Sequence, residues 1–140
     1  SRKYDTMKLM KQRDLLLKQK RREKPMEAKE LAKLAIQALE DKKAEDVKVI
    51  DISDVSTIAD YFIIASGKNR SQIQAMCDNV EETLGRAGAA MKQTEGYKNA
   101  NWILMDYGDI IVHIFDTENR LFYDLERIWR DGKEMDLSEL

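Results

Sequence analysis

Tyr61 to Ala65 is an unbroken apolar and aromatic run, Tyr-Phe-Ile-Ile-Ala, that leads directly into Ser66-Gly67-Lys68. A polar helix start follows at Asn69-Arg70-Ser71-Gln72. A strand apolar on both faces has to be covered on both, so this one belongs near the centre of a sheet. Gly67 supplies the sharp turn between strand and helix. Phosphate-handling domains often place a site at such a turn. Here the carboxylates and metal ligands that chemistry requires are not gathered around it. The pattern is a scaffold suited to an enzyme, without an enzyme's reactive groups.

With 140 residues the chain has room for one domain. Its 43% hydrophobic and 36% charged residues describe a globular protein with a heavily charged surface. No stretch approaches the ~20 apolar residues of a membrane span, and the first residues carry no apolar run of the signal-peptide kind. One cysteine cannot form an internal disulfide, which fits a reducing compartment. Charge is divided unevenly. Residues 1–25 hold ten Lys/Arg against three Asp/Glu, and residues 26–140 hold fourteen against twenty-three. The balances are therefore +7 and −9. An acidic body lacks the basic footprint of a nucleic-acid binder and suits a basic protein partner.

Residues 1–25 read as a basic extension or appended arm, with Leu9, Met10 and Leu15 to Leu17 on a short helix face and Pro25 as the stop. The arm is either loosely packed or a contact to rRNA or another partner. Residues 26–131 form the domain, and residues 132–140 a polar, acidic tail. A helix opens near Met26 with Leu31, Leu34, Ala35, Ala38 and Leu39 at helical spacing. Val47 to Ile52 is a β-branched strand. The next helix runs from Ser71 to Ala87, with Ser71 and Gln74 at capping-box spacing and Gly88 as its stop. Ala89 to Asn101 is a loop, with a short strand expected near Met91. A last helix starts at Thr117 and buries Leu121, Leu125, Ile128 and Trp129. Helices alternating with strands predict an α/β fold, a mixed sheet with helices largely on one face.

Trp102 to Tyr107 and Ile110 to Phe115 are strands joined by Gly108-Asp109, a two-residue loop that fits a tight hairpin. That loop sets the register: Tyr107 opposite Ile110, and so on to Trp102 opposite Phe115. Alternation then assigns Ile103, Met105, Tyr107, Ile110, Val112 and Ile114 to an apolar core face. Trp102, Leu104, Asp106, Ile111, His113 and Phe115 fall on a mixed face, open in part or closed by a partner.

No catalytic or metal site assembles from these residues. Cys77 sits on a helix's apolar stripe, far from the single histidine, which rules against a zinc site or a Cys–His nucleophile. Ser66-Gly67-Lys68 lacks the upstream glycine of a phosphate loop. No strand carries carboxylates at alternate positions for two metal ions. Trp102 serves either as edge packing or as a binding anchor.

Several segments, in order, resemble the ribosomal silencing factor family, also called Iojap-like. They are Leu39 to Asp46, Asp51-Ile-Ser53, Ala59 to Gly67, Trp102 with Met105 to Asp109, Val112 to Phe115 and Phe122 to Trp129. The resemblance implies a nucleotidyltransferase-like fold without the catalytic carboxylate pair, no enzymatic activity and no cofactor. It further implies binding to the large ribosomal subunit through its ribosomal protein numbered fourteen, which bars the small subunit and represses translation. On that basis Trp102, Leu104, Asp106, Tyr107 and His113 are the candidate partner-binding residues, with Tyr107 relying on its place beside the turn for exposure. A bacterial cytoplasmic setting is expected over an organellar one. The alternatives are a nucleotide-binding or nucleotidyltransferase-like enzyme using the Asp60 to Lys68 strand and turn, and a homodimerisation module using the same hairpin face.

Overall fold

Alternating residues of one strand, β2 (Tyr61–Gly67), feed two separate apolar layers. Ile63 and Ala65 enter one layer, Phe62 and Ile64 the other. The computed structural model describes residues 2–22, 27–54, 56, 57, 59–118 and 132–140. Among these, the strands are β1 (Glu45–Asp51), β2, β3 (Gln93–Glu95), β4 (Trp102–Asp106), β5 (Ile110–Asp116) and β6 (Lys133–Met135), in the spatial order β3-β4-β5-β2-β1-β6. β2 and β5 run parallel, and the other pairs are antiparallel. The helices are α1 (Arg2–Arg22), α2 (Ala28–Glu40) and α3 (Arg70–Arg86).

Helices α2 and α3 cover the first layer. α2 presents Leu31, Ala32, Ala35, Ile36, Ala38 and Leu39, a stripe two residues wide whose alanines let the backbone approach closely. α3 presents Ile73, Met76, Cys77, Val80 and Leu84. Both stripes belong to one buried cluster with Val49, Ile63, Ile103, Met105, Val112 and Ile114 of the sheet. The mixed sheet with α2 and α3 on one face is the expected architecture.

The start of α3 differs from the capping expectation. The cap is Asn69, whose side chain accepts from Gln72 N at 2.9 Å, not Ser71. Asn69 has the extended backbone a cap requires (φ −151°, ψ 168°), so the helix begins earlier. Gln72 completes the motif. Its Oε1 accepts from Lys68 N at 2.7 Å, and its Nε2 donates to the carbonyls of Lys42 and Lys43, each at 3.0 Å. One side chain thus satisfies backbone groups in the turn just past α2 and ahead of α3.

Two further differences concern the chain's ends. Residues 133–135, read as part of a polar tail, form an edge strand on β1, with Val49 opposite Met135. Residues 2–22 of the basic arm form one continuous helix, α1, on which Tyr4, Met7, Leu9, Met10 and Leu16 are exposed. The expected last helix, with Leu121, Leu125, Ile128 and Trp129, lies outside the described residues. Thr117, its expected cap, donates its hydroxyl to the Gly67 carbonyl at 2.9 Å, tying the end of β5 to the end of β2.

Two glycines give opposite predictions. Gly96 leaves β3 at φ +84°, and a Cβ there would overlap the Trp102 carbonyl oxygen. Gly96→Ala is expected to cost more than about 2 kcal/mol in urea unfolding. Gly85, inside α3, has nothing within 4 Å of an added Cβ. Gly85→Ala is expected to stabilise by roughly 0.5–1 kcal/mol.

Candidate partner-binding face

The β4–β5 hairpin has the register the two-residue loop dictates. Trp102 lies opposite Phe115, Leu104 opposite His113 and Asp106 opposite Ile111, and Tyr107 N donates to Ile110 O at 3.0 Å. Gly108 takes φ +86°, the sign that suits a two-residue hairpin loop. The Asp106 carboxylate accepts from Gly108 N at 2.8 Å, which holds the turn.

Trp102, Leu104 and Asp106 are half-buried on the face away from α2 and α3. β3 extends that face. Glu95 pairs with Leu104 and Gln93 with Asp106, so their side chains share its side of the sheet. Both are exposed, and Gln93 Nε2 donates to Glu95 Oε1 at 2.6 Å. The surface is therefore two apolar side chains edged by Glu95, Gln93 and Asp106. The short strand expected near Met91 is β3, two residues further on. Three residues are too few for alternation to register, and only pairing with β4 sets its bounds.

His113 is not part of the open surface. Only 2% of it is exposed, because Phe62 packs edge-on against its ring at 4.8 Å while Trp102 and Phe115 stack beside it. Trp102 Nε1 donates to His113 Nδ1 at 3.0 Å. Burial lowers the imidazole pKa from 6.5 to about 4, so the ring is neutral near neutral pH. The expectation of exposure for Tyr107 is likewise corrected. Parity places it on the helix-covered face, where its hydroxyl is buried and has no hydrogen-bond partner among the described residues. Burial raises its pKa, as it does that of Cys77, pushed up to about 12 and held as an inert thiol.

A cleft of about 570 Å³ opens where β2 and β5 end. Lys68 and Arg70 face Glu45, Asp116 and Glu118 across it, and Lys68 Nζ lies 3.4 Å from Glu45 Oε1. Among the described lining residues carboxylates outnumber cations, which disfavours a phosphate group. Asp60 precedes β2 and Lys68 follows it. At ~3.3 Å per strand residue, the two lie roughly 25 Å apart. A single nucleotide site cannot use both. Among the described residues no group of three or more His, Cys, Asp or Glu is placed to hold a metal ion.

The family described as "Ribosomal silencing factor during starvation" matches residues 25–140, through β6 to the last residue. A ribosomal silencing factor from Halalkalibacterium halodurans is 38% identical over 112 residues, 80% of this chain and 96% of that protein. The chloroplastic Iojap protein of Arabidopsis thaliana is 33% identical over 114 residues, 79% of this chain and 44% of that protein. A crystal structure of a Chromobacterium violaceum protein superposes with a TM-score of 0.73 at 36% identity, covering 75% of this chain and 88% of that one. This chain belongs to the ribosomal silencing factor family. The family is one of translation regulators associated with the ribosome, and its description names no chemical step.

The buried histidine predicts a pH dependence of stability. Its folded pKa lies below its unfolded value, so the unfolded chain takes up the proton first as pH falls. Stability from this group is complete above about 6.5 and is lost as pH falls toward about 4, by roughly 3 kcal/mol at about 1.4 kcal/mol per pH unit. Urea unfolding of the parent and of His113→Leu is expected to show a steeper acid loss for the parent. Equal losses would show that His113 does not titrate this way.

Proposed function

We propose that this protein represses translation without catalysing a reaction, by docking on the large ribosomal subunit where the small subunit must join. The docking partner is the large subunit's ribosomal protein numbered fourteen, and the setting is the bacterial cytoplasm. The single observation that carries this reading is the family match across residues 25–140. A steric block needs affinity and bulk, and no turnover. The acidic body, with its balance of −9 over residues 26–140, complements a basic ribosomal protein and speeds encounter with it. Trp102 and Leu104 are the apolar anchors, and Asp106 with Glu95 forms the acidic rim. Tyr107 and His113 act from behind the surface: Tyr107 packs the hairpin against the helices, and His113 backs Trp102.

The basic arm adds a second contact, to rRNA. α1 carries nine Lys/Arg against two Asp, and phosphate contacts of this kind weaken steeply with salt.

Co-sedimentation with purified large subunits tests both contacts. Trp102→Ala is expected to weaken binding by roughly tenfold or more, as for a central aromatic anchor. Glu95→Lys should weaken it less, with the loss greatest at low salt. Removing residues 1–25 should flatten the salt dependence and leave the Trp102 effect intact. A parent protein that fails to bind large subunits, or one that binds them while subunits still join freely, overturns the proposal.

A further inference from the structure

We infer that His113 is a positioning residue that fixes the indole of Trp102 for docking, an inference that rests on the docking role proposed above for Trp102. The indole N–H can only donate. Its donation to His113 Nδ1 at 3.0 Å therefore assigns that nitrogen a lone pair. The neutral ring then carries its proton on Nε2, which is buried and has no hydrogen-bond partner among the described residues. An apolar residue in that place would fill the layer without leaving a buried donor unpaired. What an apolar residue cannot supply is the acceptor for Trp102.

The stacking on Phe115 and the hydrogen bond to His113 do different work at Trp102. Phe115 stacks on the indole at 5.6 Å between centroids and 20° between planes, which sets the plane of the ring. Stacking is equally compatible with a flip about χ2, which keeps that plane and exchanges the two edges of the ring. The bond to Nδ1 decides which edge of the indole turns inward, and so which edge is offered outward. The imidazole is held in turn by Phe62, edge-on at 4.8 Å and 74°. A half-buried tryptophan fixed in this manner loses little freedom when a partner covers it, which raises affinity without a new contact.

The chain has one histidine, so its imidazole nitrogens are identified without ambiguity by ¹⁵N NMR of the full-length protein. The expected result at neutral pH is a protonated Nε2, a bare Nδ1, and a scalar coupling across the hydrogen bond between Trp102 Nε1 and His113 Nδ1. In the subunit-binding assay, His113→Leu is expected to lose roughly three- to tenfold, the range for immobilising one side chain on binding. His113→Asn, which can present an oxygen near the position of Nδ1, should recover most of that loss. In a Trp102→Ala background, His113→Leu should cost nothing further. A proton on Nδ1, or a missing coupling, overturns the inference even if the leucine variant does not fold. So does an undiminished His113→Leu cost in the Trp102→Ala background. A parent that binds no large subunits removes the docking role instead, and the NMR result then still decides whether the indole is held.

Discussion

β2 has apolar neighbours on both of its faces, and the remaining structure is arranged to provide them. Ile63 and Ile64 point in opposite directions and are both fully buried. Each is worth about 1.5–3 kcal/mol of burial, provided its own side is covered. Helices α2 and α3 meet that demand on one side. On the other, Ile50, Ile52, Ala59, Phe62 and Phe115 gather around Ile64, with Trp102 and Ile111 at the margin. A sheet covered by described helices on one face only would normally show alternation in its central strand. Here the second layer replaces it.

That second layer thins toward the edge of the sheet. β5 contributes fully buried Phe115 and His113, whereas β4 contributes half-buried Trp102, Leu104 and Asp106, and β3 contributes exposed Gln93 and Glu95. Burial thus falls strand by strand from β5 to β3. The gradient lets one sheet face serve as core at its centre and as contact surface at its rim. Trp102 stands at the boundary, which is why it has structural neighbours and an outward edge together. The two readings of Trp102 that sequence left open, edge packing and binding anchor, are compatible in this geometry.

Much of this was legible in the chain. The β4–β5 register follows from Gly108-Asp109 and strict alternation, because a two-residue loop leaves the strands no freedom to slip. The stripes of α2 and α3 follow from helical spacing. Elements of three residues have too few positions for a period: β3 shows only as a short strand near Met91 with its bounds unset, and β6 does not show at all, because each exists where a neighbouring strand accepts its backbone. The position of the α3 cap was misjudged because Ser71-Gln74 and Asn69-Gln72 have the same spacing, and only backbone angles separate them. His113 was misplaced for a different reason. Parity assigns a side chain to a face, but it says nothing of how deeply neighbouring strands cover that face. Phe62, from a strand about fifty residues earlier in the chain, is what closes over the ring.

Gln72 makes separate parts of the molecule yield together. Its amide nitrogen donates to the turn carbonyls just past one helix, and its oxygen accepts from the backbone N–H that leads into the next. Displacing the Gln72 side chain would strip partners from Lys42, Lys43 and Lys68 at once, so the end of α2 and the start of α3 are coupled through it. The segment from the end of α2 to the first turn of α3 behaves as one rivet joint, and opening it is a single cooperative event.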